Sequence, residues 1–186
     1  MQRAVADFLD AAGLSDDPDT LRTPERVAKM WSEQLIDGYD KKPDEIVTRL
    51  SVTRSQDIVI VRDLEVNSVC PHHLLPYPIL AQVAFLPNGK TTGFSRVAAL
   101  VELYAHRLAL LEDLAGDIAQ GVMDALQADG AACYLHSAQS CMHFQGVKRQ
   151  RSRVDAFAVR GAFKKPALRR EVRSLFLTEP KSVIKR

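Results

Sequence analysis

Two helical segments set between two groups of strand-like segments constrain the fold of this 186-residue chain most strongly. Residues 95–108 predict a helix with Ser95 as its capping residue, and residues 112–127 predict a second helix. In the second helix, apolar residues recur every fourth position, on one face: Leu114, Ile118, Val122 and Leu126. Strand patterning covers 57–68 and 79–85 before the helices, and 131–138, 140–146 and 154–163 after them. Short antiparallel hairpins around helices predict an α+β fold.

The first 50 residues predict a separate helical arm. Residues 3–12 suit a short helix, and Thr23-Pro24 suits the start of another, with threonine as N-cap and proline at the first helical position. That second helix should end near Gly38. We therefore predict an arm over 1–50 and a catalytic domain over 51–186, which a short helix near 167–176 closes.

Composition and charge exclude several classes of protein. The net charge is +2, and the basic stretch 164–186 has no interleaved aromatic pattern, so no nucleic-acid partner is expected. No apolar run reaches the roughly 18–20 residues that span a bilayer, and the N-terminus has no signal-peptide core. With three cysteines and no disulfide framework expected, the sequence predicts a cytoplasmic protein.

The segment Cys70-Pro71-His72-His73 carries the densest chemistry. Cys70 and His73 have the spacing of half a zinc site, and Cys141 offers a second thiolate about 70 residues later. Three protein ligands would leave a fourth position for water, whose pKa zinc lowers toward ~7. The competing interpretation is that all three cysteines are buried apolar residues, and this is the one we prefer for Cys133.

These residues resemble the GTP cyclohydrolase I family, nearly without gaps from about residue 20 to 163. The motifs that carry the resemblance are Thr23-Pro24-Glu25-Arg26-Val27-Ala28, Cys70-Pro71-His72-His73-Leu74-Leu75-Pro76, Gly93-Phe94-Ser95-Arg96, Arg107 through Glu112, and Cys141 with Gly146. The resemblance implies a tunnelling fold, in which an antiparallel sheet carries two helices on one face. It also implies homo-oligomers, pentamers paired into decamers, with active sites between subunits.

The resemblance further implies hydrolytic opening of the imidazole ring of GTP, release of formate and closure to dihydroneopterin triphosphate. Zn²⁺ would be held by Cys70, His73 and Cys141. His72 would carry protons near the purine, although it could instead only orient the cluster. Glu112 would bind the guanine N–H groups, and the triphosphate would contact Ser95, Arg96, Arg26 and Lys29.

Five positions depart from the family pattern: Pro71, Ala99, Leu111, Gln139 and Gln145. Ala99 and Gln145 replace phosphate-binding arginines, whose charge-assisted hydrogen bonds are worth ~1.5–3 kcal/mol each. Gln139 replaces a histidine and cannot transfer a proton at neutral pH. Because residues two apart in a strand share a face, we predict that Gln139, Cys141, His143 and Gln145 face the substrate. His143 could then replace the missing proton carrier, or be an unrelated edge histidine.

Three interpretations of function remain open. The first is a GTP cyclohydrolase I with an altered pocket. The second is a divergent zinc enzyme that acts on another purine or pterin with fewer phosphates. The third is a binding module with structural zinc, which the three-ligand site and His72 disfavour. The nitrile reductases of the same fold lack zinc, and the complete set of Cys70, His73 and Cys141 disfavours them.

Overall fold

The computed structural model describes residues 1–144 and 151–178. Four strands form an antiparallel sheet in the order β2-β3-β5-β6, and two short strands, β1 and β4, pair beside it. The strands of the main sheet are β2 (Val59–Val69), β3 (Pro76–Leu86), β5 (Gly130–Ser137) and β6 (Val154–Gly161). The short pair is β1 (Ser51–Val52) with β4 (Lys90–Thr91).

Two helices cover one face of this sheet. Helix α4 spans Phe94–Ala105 and α5 spans Leu111–Leu126, so the two predicted helical pieces are separate helices. The predicted stripe of α5 is buried against alternate residues of β3, such as Ile79, Val83 and Phe85. The helix face that repeats every 3.6 residues thus packs against the strand face that repeats every two residues. The expected α+β class, with an antiparallel sheet and two helices on one face, is confirmed.

A third helix covers part of the opposite face. Helix α7 (Pro166–Leu177) buries Val172 and Phe176 against the sheet, in one core cluster with Phe163. Arg62 of β2 ties the end of this helix down by donating to the Leu175 carbonyl (2.7 Å) and to Gln82 Oε1 (2.7 Å). The helix expected near 167–176 is therefore a second layer on the sheet.

The first 50 residues are helical, as expected. They contain α1 (Gln2–Ala11), α2 (Thr23–Met30) with a π-helical turn at Trp31–Leu35, a 3₁₀ turn at Asp37–Tyr39 and α3 (Pro43–Ile46). The prediction that Thr23 caps α2 was wrong: Arg22 is the capping residue, and no side chain caps this end. Pro24 holds the first turn, where its missing N–H costs nothing.

Two further local predictions were wrong. Residues 140–146 were expected to form a strand, but Ser140–Phe144 form the short helix α6. Ser95 was expected to cap α4, but Gly93 is the capping residue and Ser95 lies in the first turn. Among the described residues, no helix combines the length and the apolar character needed to cross a membrane.

The strand directions gather the chemistry-bearing segments at one end of the sheet. β2 ends at Val69 and β3 begins at Pro76, so the turn between them lies at this end. β5 runs antiparallel to β3 and ends there at Ser137, and the connection between α4 and α5 lies beside Val69. We call this the cluster end of the sheet, because the segment Cys70-Pro71-His72-His73 lies there, and we call the group Cys70, His73 and Cys141 the cluster.

Candidate metal centre and purine site

The turn after β2 supplies the first two candidate ligands. Its backbone is closed by hydrogen bonds from Leu74 N to Cys70 O (2.9 Å) and from Cys70 N to Leu75 O (3.0 Å). Leu74 has a φ of 54°, a left-handed conformation that is uncommon for a branched side chain. The tight turn brings Cys70 Sγ to 3.7 Å from His73 Nδ1.

Two serines bring the third candidate ligand to the same place. β3 begins with Pro76 and Pro78, which have no N–H to offer a neighbouring strand, and its pairing with β5 stops at Ile79–Ser137. The Ser137 hydroxyl donates to the Pro78 carbonyl (2.8 Å), and the Ser140 hydroxyl donates to the Pro76 carbonyl (2.5 Å). The chain therefore turns into α6 over the start of β3, which places Cys141 beside Cys70.

The three predicted ligands meet. One donor atom from each of Cys70, His73 and Cys141 lies within 4.8 Å of the other two. Tetrahedral zinc, with bonds of about 2.3 Å to sulfur and 2.0 Å to nitrogen, separates its ligand atoms by about 3.5–3.8 Å. Cys70 is buried, Cys141 is half-buried and His73 is exposed, so one side of the group faces solvent. Donor type and spacing thus fit a zinc ion with an open position.

The thiol chemistry also fits a cation. Burial raises the pKa of the Cys141 thiol, and the neighbouring Cys70 raises it further, since two adjacent thiolates repel. A divalent cation removes this penalty by neutralising both charges. Cys133, by contrast, is fully buried with only burial raising its pKa, and it packs in the main core, as predicted.

The connection between α4 and α5 places Glu112 beside the cluster. Ala109 N donates to the Val69 carbonyl (3.1 Å), and the buried Tyr77 hydroxyl donates to the Ala109 carbonyl (2.9 Å). Burial raises the pKa of Tyr77, a hydrogen bond with Ser68 opposes this, and the charges of Cys70, Glu112 and Cys141 add to the rise. Tyr77 thus lies within electrostatic reach of the cluster and of Glu112, which is exposed on the first turn of α5.

Three other predicted residues lie on the same two segments as the ligands. His72 is exposed, and its ring centre lies 6.2 Å from that of His73, nearly perpendicular to it at 85°. Gln139 Nε2 donates to the Ser137 hydroxyl (3.1 Å). His143 Nε2 is buried and has no hydrogen-bond partner among the described residues.

Residues 139–145 were predicted to present one face of a strand, but Ser140–Phe144 form a helix. Cys141 and His143 lie in a helix, where residues two apart point roughly 200° away from each other. His143 therefore does not line up with Cys141 as it would in a strand. Gln145 lies outside the described residues.

The predicted phosphate-binding residues lie on two different helices. Ser95 and Arg96 are exposed at the start of α4, which follows the far end of β3. Ser95 lies ten positions before Ala105 in α4, so this helix holds Ser95 about 15 Å from the α4–α5 connection at the cluster end. Arg26 and Lys29 are exposed on α2, whose Val27 and Ala28 face an apolar groove that Leu74 also lines.

Sequence reasoning missed the buried supports of this site. Ser68 and Tyr77 hold the α4–α5 connection from below: the Ser68 hydroxyl donates to the Arg107 carbonyl (3.2 Å), and Tyr77 binds the Ala109 carbonyl. The available signal was a serine and a tyrosine among apolar strand residues, since a buried hydroxyl requires a partner.

Fold and site together define an α+β protein with a Cys₂His group, suited to hold a metal ion, at one end of an antiparallel sheet. The family model described as GTP cyclohydrolase I matches residues 1–177. A GTP cyclohydrolase 1 of Chromobacterium violaceum is 38% identical over 177 residues, 95% of this chain and 84% of that protein. One of Dehalococcoides mccartyi is 37% identical over 179 residues, 94% of each. The chain belongs to the GTP cyclohydrolase I family.

Among solved structures, the archaeosine synthase QueF-Like in the apo form matches 59% of this chain and 98% of that chain. The TM-score is 0.49 and the sequence identity is 21%.

We expect Cys141→Ala to lose stoichiometric zinc, because removal of one thiolate leaves two ligands and an uncompensated charge. The matched control is Cys133→Ala, which alters a buried cysteine outside the group and should keep one zinc per chain. Metal content after dialysis, measured by mass spectrometry, checks both. Equal zinc retention in the two variants would contradict the assignment.

Proposed function

We propose that this protein is a zinc-dependent hydrolase that opens the imidazole ring of GTP and releases formate and dihydroneopterin triphosphate. The observation that carries the proposal is the convergence of Cys70, His73 and Cys141 beside Glu112. It puts a metal group and a purine-binding carboxylate at one end of the sheet. The match to the family over nearly the whole chain supports the same reaction.

In this proposal, zinc bound by the three ligands supplies Lewis-acid activation of the water that attacks the purine. Glu112, in the first turn of α5, accepts the two N–H groups of the guanine edge. His72 takes and returns the proton of the ring-opening step, because an imidazole titrates near neutral pH.

His143 is the second proton carrier in this proposal. Its buried Nε2 has no partner among the described residues, and a buried polar atom left unpaired is costly unless a ligand or water satisfies it. Gln139, which replaces the family's histidine, is held by Ser137 and contributes a hydrogen bond to substrate. We assign Gln145 the same binding role.

The triphosphate is bound by Ser95 and Arg96, with Arg26 and Lys29 as further cations. Ser95 and Arg96 are exposed at the start of α4, about 15 Å from the α4–α5 connection that leads to Glu112. They therefore lie apart from the cluster within one chain, and we propose that they complete the site of a neighbouring subunit. The assembly in this proposal is a homo-oligomer, a decamer, with active sites at subunit interfaces.

We also propose that residues 1–50 act as an arm on a catalytic unit of 51–186. The three cysteines are free thiols, which suits a reducing compartment, so we place the protein in the cytoplasm. Neither a nucleic-acid nor a membrane partner belongs to the proposal.

A second candidate is a zinc enzyme of the same family that acts on a purine or pterin with fewer phosphates. Ala99 favours it, because it lies one helical turn after Ser95 and Arg96 and carries no charge to bind a phosphate.

We expect zinc-loaded protein to release formate from GTP and to form a fluorescent pterin, since Cys70, His73, Cys141 and Glu112 are all present. Formate and pterin fluorescence are measured in parallel with GTP, GMP and guanosine. Faster turnover of GMP or guanosine than of GTP would favour the second candidate. Tight purine binding without product would sink both and favour a binding module.

We expect His143→Ala to lower kcat by ~10²-fold, the usual scale for loss of a positioned proton carrier. The matched control is His136→Ala, because His136 is a partly exposed histidine that pairs with Asp155 (2.7 Å) outside the cluster. His136→Ala should change kcat little. Formate release by both variants at equal zinc content is the measurement. Wild-type turnover by His143→Ala would remove His143 from the mechanism.

We expect Cys141→Ala and Arg96→Ala to complement each other. Each variant alone should be impaired, but co-expressed chains form interfaces in which one subunit supplies an intact cluster and its neighbour an intact Arg96. Formate release by the purified mixture should exceed that of either variant alone. A mixture no more active than the better single variant would contradict a site shared between subunits.

A further inference from the structure

The turn Asp37–Tyr39 of the arm is packed closely onto the α4–α5 connection. Gly38 N donates to the His106 carbonyl (3.1 Å), and Leu108 N donates to the Tyr39 hydroxyl (3.2 Å). A Cβ at Gly38 would lie 2.1 Å from the Leu103 carbonyl oxygen, so only glycine fits this approach. The arm is therefore joined to the connection by backbone contacts that leave little room for adjustment.

Arg107 closes the contact from the other side. Its Nε and Nη2 both donate to the Gly38 carbonyl, at 3.1 and 2.9 Å. Its guanidinium lies 5.7 Å from the centre of the Tyr39 ring and 5.2 Å from that of Tyr104. A planar fork between two rings can make this arrangement, whereas the ammonium of a lysine cannot donate two parallel bonds in the same way.

A second polar link joins the same two segments. His106 Nδ1 lies 2.6 Å from Asp37 Oδ1, and Lys41 binds the other oxygen of that carboxylate. Burial alone would raise the pKa of Asp37, but its hydrogen bonds with Lys41 and His106 and their charges outweigh burial and lower it. The carboxylate is thus held in its charged form.

The connection that receives these contacts leads directly to the proposed purine site. Val69 N donates to the Arg107 carbonyl (3.4 Å), and Val69 precedes the ligand Cys70. Three residues beyond Ala109, the chain reaches Glu112. Whatever fixes residues 106–110 also fixes the carboxylate relative to the metal group.

We propose that Arg107 is a positioning residue that locks the arm turn onto the α4–α5 connection and so sets the distance between Glu112 and the Cys70 cluster. The role assigned to Glu112 rests on the proposed function, whereas the lock itself does not. The arm thereby acts on the chemistry through a contact that touches neither substrate nor metal.

The test uses Arg107→Lys in the full-length, zinc-loaded protein. This variant keeps the charge and loses the fork. Hydrogen exchange should become about tenfold faster at the amides of Val69, Leu108 and Ala109, while the amides of β3 and β5 stay protected. The matched control is Arg22→Ala, which removes an exposed arm ion pair with Glu25 (3.4 Å) and should alter neither region.

Kinetic measurements separate a positioning role of Arg107 from a general contribution to stability. In Arg107→Lys, KM for GTP should rise about tenfold while kcat changes less than about threefold, because a displaced Glu112 weakens guanine binding. Asp37→Asn should likewise speed exchange at these amides and raise KM for GTP. Unchanged local exchange, uniformly faster exchange, or an unchanged KM despite faster local exchange would each overturn the inference. Absence of formate from the wild-type protein would defeat the proposed function instead, and the exchange result would then decide the lock alone.

Discussion

The backbone pairing of Val69 with the α4–α5 connection is the contact on which the geometry of the site depends. Ala109 N and Val69 N donate across it, so the end of a strand and the start of a helix are held side by side. Without this contact, Cys70 and Glu112 would belong to segments that are joined only through the core. Tyr77 and Ser68 hold the connection from below, and the arm holds it from the side, so no single side chain carries the whole arrangement.

The sequence was most informative where a periodic pattern coincided with burial. Leu114, Ile118, Val122 and Leu126 are each at most 1% exposed, because a four-residue spacing allows only one buried helix face. The grouping of Cys70, His73 and Cys141 was predictable for a different reason: they are the residue types that zinc selects, and the family motifs indicated which of them belong together. Both signals are local in the sequence or carried by rare residue types, which makes them readable without a structure.

Helix α6 was not predictable from the same signals. Its five residues are too few to show a period, and its place depends on Ser137 and Ser140 reaching the carbonyls of Pro78 and Pro76 at the start of β3. Tertiary contacts of this kind override local propensity in short segments. The expectation that residues 139–145 share one face failed for this reason, whereas the expected approach of Cys141 to Cys70 and His73 is found.

The residues that depart from the family pattern affect different properties, depending on where they lie in the fold. Leu111 is 4% exposed and packs in the main core, so this departure alters packing beneath Glu112 and offers no surface to a ligand. Ala99 lies in the middle of α4, one helical turn after Ser95 and Arg96, and is not one of the residues that meet in the Cys70, His73 and Cys141 group. The absence of a charge at position 99 can therefore weaken phosphate binding and leave the candidate metal ligands untouched. Substrate preference and metal chemistry can change independently in this chain, because they depend on different segments.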